Sequence, residues 1–209
     1  MSFMSFILNA VKDDRAYGEM LSAAQARLAG RDPMEIAARS AMPFDTVRGY
    51  FYWPSLGDTV RVDPRDWSVS GCLGNWHVLT VLHYLDMADG SPLAGRLINF
   101  GQQKDGLARG GDFDRRCEAT LGKSLGVLMP EEAERRCLRL GGRLMPSNAD
   151  LCAEFAYMPR YPVTLKLWFA DDDLDGSARL FLDESCDRYL TIEDSVTVGT
   201  ILMEELLKA

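Results

Sequence analysis

The stretch that most limits what this chain can fold into runs from Ala149 to Ser195. Three runs in it read as strands: Glu154 to Tyr157, Val163 to Phe169 and Arg179 to Asp183. In the middle run Val163, Leu165, Leu167 and Phe169 alternate with Thr164, Lys166 and Trp168, the period of two that a strand imposes. Pro159 and Pro162 flank one turn, and Asp171 to Gly176 forms the acidic tip of the next. A terminal helix follows, capped by Asp194 or Ser195, with Val198, Ile201, Leu202 and Leu206 as its apolar stripe. Consecutive strands joined by turns this short pair antiparallel.

The rest of the chain supplies helices and a second meander. Residues 3 to 29 read as a helix with Phe6, Ala10, Tyr17, Met20, Leu21, Ala24 and Leu28 mostly on one face and Gly30 as its stop. Asp32 caps a second helix, Pro33 takes its first position and Glu35 completes a capping box. Thr46 to Trp53, Thr59 to Val62 and Trp67 to Val69 read as three strands, with turns at Pro54 to Gly57 and Asp63 to Asp66. Asn75 and Gly90 bound a segment that is apolar on nearly every face, the mark of a buried central helix. Arg96 to Phe100 is extended, and further helices start at Asp112 and Pro130. The expectation is a single α+β domain over residues 1–209. An antiparallel sheet from two meanders packs against a buried central helix and flanking helices, with an N-terminal helical arm over about residues 1–42.

Composition excludes several classes of function. With 23 Lys and Arg against 31 Asp and Glu, the net charge is −8, which repels phosphate backbones and anionic bilayers. Neither nucleic acid nor membrane is an expected partner. The opening MSFMSFILNAV reads as the start of a helix rather than a signal, since no basic region precedes it. Five scattered cysteines with no CxxC pair point to free thiols in a reducing cytoplasm.

Few residues carry an obvious chemistry. His77 and His83 are the only histidines. Six helical residues put their rings about 120° apart, so they do not share a metal. His83 with Asp86 one turn later forms a better pair, because a carboxylate can orient the ring of a general base. Asp171, Asp173, Asp175 and Gly176 match the start of a calcium loop. Leu182 stands where the bidentate Glu belongs and the flanks read as strands, so the string reads first as a solvated hairpin tip, and no metal site is assigned. Asp150, Asp183, Glu184, Glu193 and Asp194 add carboxylates near strand ends. Cys117 and Cys137 each follow two arginines but lie on apolar stripes, as buried, unreactive thiols do. Trp53, Trp67, Trp76, Trp168, Tyr50, Tyr52 and Tyr157 read as core, with a pocket lining as the alternative. The strings GxGxxG, GxxxxGK[ST] and GxSxG do not occur.

In order along the chain, several groups of residues resemble one family. Asp32-Pro33, Ala37-Ala38-Arg39-Ser40, Phe44-Asp45 and Leu56-Gly57 are similar to its first half. Leu82-His83-Tyr84-Leu85 and Gly95 to Phe100 are similar to its middle. Asp150, Pro159, Pro162, Leu167-Trp168, Asp172-Asp173, Leu180-Phe181, Asp183-Glu184-Ser185, Tyr189-Leu190 and Glu193-Asp194 are similar to its end. The family is the domain of unknown function 3786, and the resemblance runs from about residue 15 to the C-terminus. Ala149 and Asp175-Gly176 depart from its pattern. The resemblance implies an anaerobic setting and, through relatives joined to iron–sulfur domains, a supporting role in one-carbon or corrinoid metabolism. This chain lacks the cysteine cluster of such a domain.

Three functions are consistent with these residues. The first is a ligand- or cofactor-binding accessory protein, cofactor unknown, with a pocket between the central helix and the C-terminal strands near His83, Asp150, Trp168 and Asp172. The second is an enzyme in which His83 and a carboxylate transfer a proton. The third is an acidic protein-interaction module. The expected partner is accordingly a small molecule or a protein.

Overall fold

The structure is a computed structural model and describes residues 14–208. The helix and signal readings over residues 3 to 13, with Phe6 and Ala10, lie outside the described residues. The fold is α+β. In chain order it has α1 (Asp14–Leu28), α2 (Pro33–Ser40), β1 (Phe44–Asp45), β2 (Tyr50–Ser55), β3 (Asp58–Asp63) and β4 (Ser68–Ser70). There follow α3 (Asn75–Met87), β5 (Leu97–Ile98), α4 (Arg109–Ser124), α5 (Pro130–Arg139) and β6 (Arg143–Leu144). The last elements are β7 (Leu151–Met158), β8 (Tyr161–Trp168), β9 (Ser177–Asp183) and α6 (Ile192–Leu207).

The two meanders make two antiparallel sheets rather than one, in the orders β1-β2-β3-β4 and β5-β9-β8-β7-β6. They meet where β2 crosses β7. The residue of β2 after Trp53 is Pro54, which has no N–H to give a ladder. A side chain makes the link instead: Trp53 Nε1 donates to Ala156 O at 2.9 Å, beside the irregularity in the β7–β8 register.

Local chemistry sets the ends of the elements. Asp32 caps α2 by accepting from Met34 N at 2.9 Å, but Glu35 pairs with Arg39 one turn on instead of closing a capping box. Residues 46–49, expected as strand, are a turn. Asp45 Oδ1 accepts from the amides of Val47 and Arg48, and Gly49 takes a positive φ of 75°. Leu56 and Gly57 both have positive φ, as the two-residue β2–β3 hairpin demands. The helix expected from Asp112 begins three residues earlier, at Arg109. Thr191, not Asp194 or Ser195, caps α6.

Helix α3 lies at the centre, packed by α1, α2 and α6. Leu79, Val81, Leu82, Tyr84 and Leu85 are buried on it. Tyr84 Oη donates to Ser40 O and accepts from Arg160 N, tying α3 to α2 and to the β7–β8 turn. Tyr157 Oη donates to Thr80 Oγ1, whose own proton goes to His77 O. The opposite side of α6 packs on α4. The approach is close: a Cβ on Gly199 would lie 2.5 Å from Phe113 Cζ.

Candidate functional site

Two helical stripes frame the site. On α3, Trp76, Leu79, Thr80, His83, Asp86 and Met87 recur at spacings of three and four, so they share a face. On α6 the same rule collects Asp194, Thr197, Ile201 and Glu204. The helices run antiparallel, with His83 opposite Asp194. Between them and α1, which adds Met20 and Arg27, lies a hollow of about 520 Å³. Apolar side chains form most of its wall, and Thr80, Thr197, Arg109 and the His83–Asp194 pair supply polar groups.

His83 Nδ1 lies 2.7 Å from Asp194 Oδ1. Asp194 Oδ2 accepts from Thr191 Oγ1 at 2.7 Å, and Thr191 Oγ1 in turn accepts from Asp194 N. Both carboxylate oxygens therefore act as acceptors, which puts a proton on Nδ1, so that in the neutral ring the lone pair is on Nε2. Among the described residues no protein group hydrogen-bonds Nε2. Cap and dyad share one residue: Asp194 sits in the first turn of α6 because Thr191 starts the helix, and that turn aims it at α3.

Asp86, the neighbour expected to orient His83, does something else. It accepts from Arg27 Nε at 2.7 Å and from Arg31 at 2.9 Å, which fastens α1 to the end of α3. Two guanidinium groups, one on α1 and one in the connection after it, outcompete a ring one turn away on the same helix as Asp86. Across the mouth of the hollow Arg109 pairs with Glu193.

The structure does not gather His83, Asp150, Trp168 and Asp172 into one pocket. Leu151 faces Leu167 in the β7–β8 register, so Asp150 and Trp168 meet at one end of the hairpin, where Asp150 accepts from Phe169 N at 2.9 Å. Asp172 is exposed in the loop beyond that end. His83 belongs to the other end, where Thr80, one turn before it on α3, meets Tyr157, and Tyr157 is seven residues along the strand from Asp150, roughly 23 Å. In the Asp171–Gly176 string, Asp171 Oδ1 is occupied by the amides of Asp173 and Leu174. Among the described residues no group of three His, Cys, Asp or Glu side chains is placed to hold a metal ion.

The other marked residues have structural tasks. His77 is buried against Tyr157. Its Nδ1 accepts from Leu73 N, so Nε2–H donates to Ser55 Oγ, and burial pulls its pKa down to about 4. With the proton on the nitrogen that faces it, the serine is not activated. Asp183 accepts from the amides of Ala94, Gly95 and Ser185 and from Ser185 Oγ. Glu184 pairs with Arg96. Burial pushes the Cys117 and Cys137 thiols up to about 12, far from thiolate. Of the aromatic set, Trp67 and Tyr157 are core, while Trp76 lines the hollow with its Nε1 buried and without a hydrogen-bond partner among the described residues.

Sequence reasoning found His83, named Asp194 as a cap and as one carboxylate among several without pairing it to His83, and missed Thr197 and Glu204. Their signal was the second stripe of α6, polar and beside the apolar one that faces the core.

No helix among the described residues is long and apolar enough to cross a membrane. No curated protein and no solved structure matches the chain. A family match spans residues 32–205, from the cap of α2 into the last turns of α6, and takes in His83 and Asp194 but not α1. The chain belongs to the family described as Domain of unknown function (DUF3786).

Proposed function

We propose that the chain acts as one domain that binds a small organic ligand in the hollow between α1, α3 and α6, as an accessory protein rather than a scaffold. The observation that carries this is the hollow itself. About 520 Å³ of mostly apolar wall with a few convergent polar groups suits a ligand of modest size. The five free thiols fit a reducing cytoplasm. The corrinoid-linked setting comes from the family resemblance alone, and it decides only how the test is run. Protein purified without oxygen should show a stoichiometric adduct by native mass spectrometry. Thr197→Trp, which pushes an indole into the hollow, should remove it. An adduct that survives this substitution lies elsewhere and overturns the reading.

A second reading has its own support. The His83–Asp194 pair leaves Nε2 as a base facing the hollow, the arrangement a proton-transfer enzyme needs. Recovery of the captured molecule separates the two. A binding protein returns it unchanged, whereas an enzyme returns it altered, and His83→Gln stops the alteration.

A further inference from the structure

The polar groups around the hollow can be followed one by one. Thr80 and Thr197 give their hydroxyl protons to the carbonyls of His77 and Glu193, and Thr191 gives its proton to Asp194. Arg27 is paired with Asp86 and Arg109 with Glu193. Two ring nitrogens of the wall, Trp76 Nε1 and His83 Nε2, have no hydrogen-bond partner among the described residues.

The two nitrogens ask for different things. An indole nitrogen only donates, so Trp76 Nε1–H calls for an acceptor. It is buried, so bulk water does not supply one, and a buried donor left unmet carries its full desolvation cost. Trp76 lines this hollow and a smaller one of about 200 Å³ beyond it, so the space against its ring is the space of the hollows. His83 Nε2 accepts from a hydroxyl when the ring is neutral and donates to one when the ring is charged, and a hydroxyl can take either part.

Their spacing sets a length. Trp76 and His83 stand two turns apart on one face of α3, about 10 Å along the axis. Leu79 lies between them on that face, and Met20 adds to the apolar wall from α1. The charged groups at the rim are already paired with one another, so a charge carried into the hollow would meet no partner and would be costly.

We propose that the ligand of this hollow is an uncharged chain molecule with a carbonyl at one end and a hydroxyl at the other. The carbonyl oxygen accepts from Trp76 Nε1–H, the hydroxyl meets His83 Nε2, and the apolar chain between them lies along Leu79. This rests on the ligand-binding reading above and names the class of molecule.

The test uses the full chain and three probes of one chain length, compared by isothermal titration. These are 8-hydroxyoctan-2-one, octan-1-ol, which lacks the carbonyl, and octan-2-one, which lacks the hydroxyl. The hydroxyketone should bind roughly fivefold more tightly than either of the others, the worth of one hydrogen bond. Trp76→Phe should erase its advantage over octan-1-ol, and His83→Leu its advantage over octan-2-one. In ¹H–¹⁵N spectra the indole N–H signal of Trp76, identified by its loss in Trp76→Phe, should move downfield when the hydroxyketone is added. Equal affinity of the three probes for the wild type overturns the assignment without needing any variant, as does a Trp76 signal that stays in place when the hydroxyketone is bound. Either result leaves the hollow standing as a ligand site. A hydroxyketone that does not bind at all also overturns the assignment, and if the native protein carries no adduct either, the ligand-binding reading falls with it.

Discussion

Acid should unfold this protein partly through one histidine. His77 is buried with its ring on Tyr157, and Nδ1 must keep a lone pair to accept the Leu73 amide. Protonation would place an N–H against an N–H and a charge in the core. Burial therefore lowers the folded-state pKa to about 4, against 6.5 for an ordinary imidazole. Between those values the unfolded chain binds more protons than the folded one, so stability falls as pH falls. The contribution is complete above about pH 6.5 and is lost on the way down to about 4. A shift of this size corresponds to about 3 kcal/mol at 1.36 kcal/mol per pH unit. Urea unfolding at several pH values between about 7.5 and 4 should be run on the wild type and on His77→Gln, so that carboxylates common to both cancel. The wild type should lose about 3 kcal/mol more than the variant over this range. A difference between the two that does not change with pH would show that His77 titrates normally and would refute the argument.

Four further outcomes are expected. Asp183→Ala removes the acceptor for three amides and a hydroxyl, and should cost about 2–3 kcal/mol in urea unfolding; a loss within error would mean that water replaces the carboxylate. Gly122→Ala places a Cβ 2.5 Å from the backbone oxygen of Gly176, and should cost about 1–3 kcal/mol by the same measurement. Asp194→Ala should end the dominance of the Nδ1-protonated form of His83 in ¹⁵N NMR, whereas an unchanged tautomer ratio would show that Asp194 does not set it. Trp53→Phe removes the hydrogen bond between the sheets and should lower stability by about 1 kcal/mol.

What was legible in the sequence follows the range of the interaction concerned. The β7–β8–β9 unit could be read because its alternation is written residue by residue, and α2 because Asp32-Pro33 states its own start. The β1–β2 turn was misread as strand although its signal is local: Asp45 four residues before Gly49 is a turn pattern that the aromatic run after it masked. The early start of α4 had no such signal. Gly110 belongs to the helix because it packs on Phe100, where a Cβ would fall 2.3 Å from the carbonyl oxygen, and that tertiary contact outweighs the poor helix propensity of Gly110-Gly111.

The site is the extreme case. The partner of His83 lies 111 residues away, whereas Asp86 stands one turn along the same helix and satisfies every local rule. Only the packing of α6 decides between them. That packing has its own sequence trace in Gly199, whose missing side chain lets α6 settle against Phe113. With one side of α6 held there and another facing the core, the stripe that remains carries Asp194, Thr197, Ile201 and Glu204 past α3. A helix that buries two sides and still keeps a threonine and two acids in line on a third is not explained by solvation alone. Those residues face another helix across a groove, where the first of them, Asp194, holds the ring of His83.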